Sequence, residues 1–101
     1  MVDLRRHSPT FLRSLCLTLD GDRPEQTLWV PPDFAHGFCV LGDRPADVVY
    51  KMTSSYNPKG EGGLMWNDKS LKINWPIENP ILSERDQNLL SVEEYKRKYC
   101  P

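Results

Sequence analysis

The stretch ADVVYKMTSS, residues 46–55, has the strongest β-strand pattern in the chain. Successive side chains of a strand point to opposite faces of a sheet, so this stretch presents two sets of side chains. The sets alternate along the chain, with Val48, Tyr50 and Met52 on one face and Val49, Lys51 and Thr53 on the other. The alternation predicts a strand.

Shorter β-rich runs lie on both sides of this strand and are separated by prolines and glycines, of which the chain has nine and six. We expect strands at residues 10–19, 27–30, 34–41, 64–66 and 71–75. Short strands at close intervals with turn residues between them are typical of an all-β sandwich or barrel. The length of 101 residues fits one small domain, residues 1–101.

One helix is predicted, at the C-terminal end. Ser91 is placed as its N-cap, and Glu94 stands three residues later, where its side chain can bind back to the N-cap backbone. We expect this capping box to open a short helix that continues to about Tyr99. The basic run at residues 96–98 is interpreted as a solvated helix end.

Composition argues against several classes of protein. Lysine and arginine number 13 against 14 aspartate and glutamate, the signs are interleaved, and the net charge is -1, which disfavours a nucleic-acid groove or a membrane patch. The three cysteines form no C-x-x-C pair, so no zinc or redox motif is indicated. Cys16 and Cys39 stand in apolar runs, which predicts buried thiols and a reducing, cytoplasmic location.

A few residues could take part in chemistry. His36 stands among apolar neighbours in PPDFAHGF, residues 31–38, and can be either a site histidine or a core histidine bonded to a backbone carbonyl. Composition alone favours the core histidine. Tyr50 and Tyr56 are six residues apart and share a face if the strand continues that far. They can be an acid and a stacking platform, or two ordinary strand tyrosines.

Two carboxylates are weaker candidates. Glu61 stands among glycines, where the backbone can be shaped around a ligand, and Asp86 lies in a polar segment. Taken alone, each is interpreted as a surface carboxylate. The chain has two histidines, with neither a His-x-His nor a His-x-x-x-His spacing, so we expect no metal site.

Taken together, six segments resemble, in order, segments of the dTDP-4-dehydrorhamnose 3,5-epimerase family. They are VDLRRHSPTF at 2–11, LWVPPDFAHGF at 28–38, YKMTSSYNPKGE at 50–61, WND at 66–68, INWP at 73–76 and PILSERD at 80–86. The resemblance implies a cupin-like β jelly roll made of antiparallel sheets. It also implies a dimer that needs no cofactor.

The implied reaction inverts carbons 3 and 5 of a dTDP-linked 4-keto-6-deoxy sugar, in dTDP-rhamnose-type biosynthesis. A histidine removes a proton next to the ketone, an enolate forms, and a tyrosine on the opposite face returns a proton. The resemblance gives a role to six residues: Tyr50 as proton donor, Tyr56 as the stack for thymine, His36 and Glu61 as substrate-binding residues, Arg85 near the nucleotide phosphates and Asp86 as the carboxylate that orients the catalytic histidine.

The chain also departs from the family pattern at positions that matter for function. The family's catalytic histidine lies in a motif resembling RGLHYQ, upstream of the VDLR strand with which this chain begins. Neither His7 nor His36 has that context, so we expect a truncated, C-terminal part of the fold without the general base. Asp33 replaces the glycine of the family's PPGFAHGF, which alters the turn if that position needs a positive φ.

We therefore expect an epimerase-like isomerase that is inactive as a lone chain. The alternatives are an epimerase completed by a partner chain, a non-catalytic nucleotide-sugar binding or assembly module, and a different chemistry with Tyr50 as a lone acid. In every case we expect self-association as a homodimer or a higher oligomer, because the absent strands would leave sheet edges and apolar faces uncovered.

Overall fold

The computed structural model describes all residues from Met1 to Pro101. Regular secondary structure is sparse and most of the chain is non-helical. The elements are strand β1 at Val2–Asp3, strand β2 at Phe34–Ala35, helix α1 at Val92–Tyr99, and 3-10 turns at Pro58–Gly60, Lys69–Leu71 and Asp86–Asn88. A two-stranded antiparallel sheet with one short helix is compatible with the all-β class that the sequence predicts.

The sheet is built around the N-terminal strand. β1 pairs with β2 so that Val2 lies opposite Ala35 and Asp3 lies opposite Phe34. On its other side Val2 forms an isolated antiparallel bridge with Ser14. β1 therefore lies between two segments that are distant in the sequence, and all its side chains are buried.

The core is small and sits where the two ends of the chain meet. Val2, Leu71 and Val92 are buried, and they pack against half-buried apolar side chains at Leu4, Leu12, Ala35, Leu64 and Ile73. Burial of one such side chain contributes about 1.5–3 kcal/mol, so three of them make a modest core for a domain of this length. Trp75 adds a hydrogen bond from its indole Nε1 to the Trp66 carbonyl, at 2.7 Å.

Helix α1 begins and ends as predicted. The Ser91 hydroxyl accepts a hydrogen bond from the Glu94 amide at 3.2 Å, and the Ser91 amide donates to the Glu94 carboxylate at 2.8 Å. The capping box is thereby confirmed, and the helix continues to Tyr99. The Val92 amide also donates to Asp68 Oδ2 at 2.8 Å, which ties the helix to the turn Lys69–Leu71 that Asp68 caps.

Most of the predicted strands are wrong for this structure. Residues 46–55 form no strand and no backbone hydrogen bond, and the segments at 10–19, 27–30 and 71–75 form no strand either, apart from the isolated bridge at Ser14. The predicted strand at 34–41 is reduced to Phe34–Ala35, and Leu64 forms only an isolated parallel bridge with Leu90. Alternation of side chains describes a strand, but a strand forms only against a partner whose backbone groups it can bind.

The cysteine prediction is also wrong. Cys16 is exposed, Cys39 is half-buried, and all three thiols are free. Both residues lie outside the paired strands, so no neighbouring strand buries their side chains fully.

The turn before β2 has the conformation that a glycine would favour. Asp33 has a φ of 63°, in the left-handed region. The Asp33 carbonyl accepts a hydrogen bond from the Leu4 amide at 2.9 Å, so this conformation also extends the pairing of β1 with β2. The position that the sequence singled out as a departure from a glycine does have a positive φ.

None of the helices is both long enough and apolar enough to cross a membrane.

Candidate functional site

Two of the six predicted site residues meet in an ion pair. Arg85 Nη1 lies 3.0 Å from Glu61 Oε2. The Arg85 side chain is 58% exposed and the Glu61 side chain 32% exposed, so the pair sits at the surface and a ligand in solvent can reach it. The sequence placed both residues near the substrate and gave no indication that they bind each other.

The backbone around this pair explains why the two segments meet. The Met65 amide donates to the Leu90 carbonyl at 2.7 Å, and the Leu90 amide donates to the Gly63 carbonyl at 3.4 Å. A Cβ atom at Gly63 would lie 3.0 Å from Leu89 Cδ1, so a side chain at this position would require the end of the Leu89 side chain to shift. The two backbone hydrogen bonds hold residues 63–65 beside Leu90, and Glu61 meets Arg85 next to this pairing.

A tight turn separates Tyr56 from Glu61. The Asn57 side chain accepts a hydrogen bond from the Lys59 amide at 3.2 Å, and Pro58 opens the 3-10 turn Pro58–Gly60. Proline and a capping asparagine favour this geometry because one fixes φ and the other binds a free backbone amide. The turn connects the predicted thymine platform to the carboxylate of the ion pair.

Asp86 lies next to Arg85 and is half-buried at the start of a 3-10 turn. Its amide donates to the Ser83 hydroxyl at 3.1 Å, and the Gln87 amide donates to the Ser83 carbonyl at 3.2 Å. These bonds hold the backbone of Asp86, while no side chain of the 101 residues donates to its carboxylate. The carboxylate can therefore accept a hydrogen bond from another group, such as an imidazole.

The other three predicted residues are not joined to this pair. Tyr50 is 69% exposed and Tyr56 is 70% exposed, and neither makes a hydrogen bond. Their shared face was predicted from a strand that the structure does not form. His36 is exposed directly after β2 and has no hydrogen-bond partner, so the core histidine that composition favoured is wrong.

Sequence reasoning missed a buried carboxylate at the start of the chain. Asp3 is 2% exposed and accepts hydrogen bonds from Arg5 Nε at 2.9 Å, from the Ser8 hydroxyl at 2.8 Å and from the Thr10 hydroxyl at 2.6 Å. The Arg5 guanidinium in particular holds the pKa of Asp3 well below its usual range, and this outweighs the burial that would raise the pKa. The spacing Asp-x-Arg followed by Ser and Thr is the signal that could have indicated this network.

A second missed carboxylate is Asp68. It accepts hydrogen bonds from the Val92 amide and, at 2.8 Å, from the Ser70 amide, and these bonds lower its pKa, with Val92 as the largest cause. Asp followed two residues later by Ser is typical of a capping turn, but the contact with helix α1 is not visible in the sequence. Both missed carboxylates stabilise the fold rather than face the ion pair.

No group of three or more histidine, cysteine, aspartate or glutamate side chains converges as a metal site would require.

The sequence model of the dTDP-4-dehydrorhamnose 3,5-epimerase family matches residues 1–94. The chain belongs to this family. The match includes all six segments on which the resemblance rested and all six residues to which it gave a role.

Curated relatives agree with the match. The chain is 47% identical over 87 residues to the dTDP-4-dehydrorhamnose 3,5-epimerase of Shigella flexneri, an alignment that covers 86% of this chain and 47% of the relative. It is 51% identical over 86 residues to the enzyme of Neisseria gonorrhoeae, covering 84% and 26%. The Escherichia coli K12 enzyme is 40% identical over 97 residues, covering 95% and 51%.

The chain spans about half the length, or less, of these epimerase relatives. No solved structure matches it.

Proposed function

We propose that these 101 residues form the acid-supplying part of a 3,5-epimerase site for a dTDP-linked 4-keto-6-deoxy sugar. The observation that carries the proposal is the family match over residues 1–94, which includes Tyr50, Tyr56 and Asp86. The exposed tyrosines and the surface ion pair support it, because all of these groups can reach a ligand in solvent.

In the proposed reaction Tyr50 is the general acid. Carbons 3 and 5 of the sugar flank the ketone, so removal of either proton gives an enolate. Inversion requires that the new proton arrive on the face opposite the base, and a positioned phenol supplies it. Tyr56 would stack on thymine and so place the ring, which matters because misplacement of the reacting atoms by a small distance is costly in rate.

The base is the group that these residues do not supply. The chain has two histidines. His7 does not serve as the base, because its Nε2 accepts a hydrogen bond from Arg6 Nε at 3.0 Å, in the loop that follows β1. A histidine outside these 101 residues, on a longer chain or on a partner, would complete the site, and the free Asp86 carboxylate would orient it. We therefore expect the 101-residue chain alone to be inactive, since loss of a general base costs about 10²–10⁴-fold or more.

We also propose that residues 1–101 are one jelly-roll domain that self-associates. The segment at 46–55 keeps an alternating pattern, and its unpaired backbone can add to a sheet when a neighbouring strand is present. Its side chains at Val48, Val49 and Met52 are exposed at 48%, 90% and 61%, which leaves apolar surface for a neighbour to cover.

A mixing experiment tests whether another chain completes the epimerase site. The chain is combined with an N-terminal segment of a family relative that contains the RGLH-type motif, and solvent deuterium at carbons 3 and 5 of the sugar is followed by NMR. Exchange is expected in the mixture with the wild-type chain, and formation of the epimerised product should be lost with Tyr50→Phe. No exchange in any mixture would end the idea that a partner completes this site.

A second candidate is a non-catalytic nucleotide-sugar binding or assembly module. The exposed Tyr56 ring and the surface guanidinium of Arg85 favour it, since an aromatic ring can stack on thymine and a guanidinium can bind a diphosphate. Calorimetry with dTDP tests it: heat that disappears in Tyr56→Ala supports binding. Tyr99→Ala, at an exposed tyrosine on α1, is the control and should retain the heat.

A further inference from the structure

The Glu61–Arg85 ion pair has a chemical consequence for any phosphate that approaches it. A guanidinium recognises carboxylate and phosphate oxygens through the same N–H donors. Glu61 Oε2 occupies the Nη1 side of Arg85 at 3.0 Å. Glu61 thus stands where a phosphate oxygen of a nucleotide would bind.

We propose that Glu61 is an internal competitor for Arg85, and that a nucleoside diphosphate binds by displacing this carboxylate from the guanidinium. We call the ion pair the latch. The inference rests on the proposed function, because it takes dTDP as the ligand of this surface. Glu61 would affect binding through Arg85, by competing with the ligand's phosphate for the guanidinium.

The exposure of Arg85 and the charge of a phosphate favour replacement of the Glu61 carboxylate over a permanent ion pair. The Arg85 side chain is 58% exposed, and no other protein group shares its remaining donors. Exposed ion pairs are weak, with a typical worth of about 0–1 kcal/mol, so a more highly charged anion can replace the carboxylate. The backbone bonds that join Leu90 to Met65 and to Gly63 keep the two segments together when the latch opens.

The latch would distinguish ligands by charge. Thymidine has no phosphate and cannot replace the Glu61 carboxylate, so its binding depends on Tyr56 alone. dTDP has two phosphate groups and must compete with Glu61 for Arg85. Removal of the carboxylate should therefore help dTDP and leave thymidine unaffected.

The experiment is calorimetry on the 101-residue chain with dTDP and with thymidine. We expect Glu61→Gln to bind dTDP about three- to fivefold more tightly than the wild-type chain, which corresponds to the worth of an exposed ion pair. Thymidine affinity should stay the same. Glu93→Gln is the matched control, because it breaks the Glu93–Arg97 surface pair on α1, and it should leave dTDP affinity unchanged.

An Arg85→Gln background tests whether Glu61 acts through the arginine. There, Glu61→Gln should lose most of its effect on dTDP affinity, as expected for two residues that couple directly. dTDP affinity that is unchanged or weaker in Glu61→Gln overturns the latch alone. No dTDP binding by either chain overturns the proposed nucleotide site together with the latch.

Discussion

Asp3 illustrates how a buried charge is kept in this chain. Its carboxylate is satisfied by Arg5, Ser8 and Thr10, all within the loop that follows β1. A group whose pKa is lowered on folding stabilises the native state above its unfolded pKa and loses that contribution as the pH falls toward the folded pKa. Asp68 has a lowered pKa as well, so protonation of either carboxylate makes the native state less stable.

We therefore expect the chain to lose stability as the pH falls below about 4, the ordinary pKa of an aspartate. Urea unfolding followed by tryptophan fluorescence at several pH values measures this. Asp3→Asn should flatten the pH dependence in the acid range, whereas Asp47→Asn, at an exposed position, should not. Equal acid dependence in the wild-type chain and in Asp3→Asn would contradict the assignment.

Asp33 gives a second prediction at the level of a single residue. Its φ of 63° is costly for a residue with a Cβ, by about 1–2 kcal/mol, although aspartate tolerates it better than most. Asp33→Gly should be more stable than Asp33→Ala by about 1 kcal/mol. The difference is measured by urea denaturation of the two variants. Equal stability of the two would show that the backbone does not hold this conformation in solution.

Some properties of single residues can be predicted from the sequence and others cannot. The positive φ at Asp33 was foreseeable, because a glycine at the matching family position indicates a left-handed turn. The exposure of His36 was not foreseeable from its apolar neighbours, since exposure depends on whether other segments cover them.

Among the elements, α1 depends on caps from two different parts of the chain. Ser91 caps it locally, and Asp68 binds the Val92 amide from a distant turn. Loss of a capping side chain typically costs about 1 kcal/mol, so Ser91→Ala and Asp68→Ala should each destabilise the chain by about that amount. Urea unfolding followed by circular dichroism measures the loss. Ser54→Ala, at an exposed serine outside any cap, is the control.

The contrast between α1 and the predicted strands has a physical reason. A capping box and a helix are made of contacts a few residues apart, so the sequence near Ser91 is sufficient to predict them. A strand at residues 46–55 needs a partner from elsewhere, and the alternating pattern does not name that partner. The Glu61–Arg85 pair could not be predicted for the same reason, because the two residues lie in segments that are brought together by backbone bonds between residues 63–65 and Leu90.

For the whole molecule, the distribution of apolar side chains is unusual. Three hydrophobic side chains form the buried core, whereas fifteen large ones are exposed. The exposed ones include Leu17, Trp29, Phe38 and Val49. Because so many large apolar side chains are exposed, we expect another protein segment to cover part of this surface.

Self-association is the corresponding prediction. Sedimentation velocity at micromolar concentration should show a dimer or a larger species, because association would cover the exposed apolar side chains. Replacement of the exposed pair Val49 and Met52 by serine should weaken association, while Lys59→Ser on the polar turn should not. A clean monomer in the wild-type chain would contradict the prediction.

We propose that these residues supply the acid of an epimerase site and that the base is a histidine outside them. The most direct measurement is solvent deuterium incorporation into a dTDP-linked 4-keto-6-deoxy sugar with the 101-residue chain alone, followed at carbons 3 and 5 by NMR beside a full-length relative. We expect complete exchange with the relative and no exchange above background with the chain alone. Deuterium at either carbon with the chain alone, at a rate well above background, would contradict it.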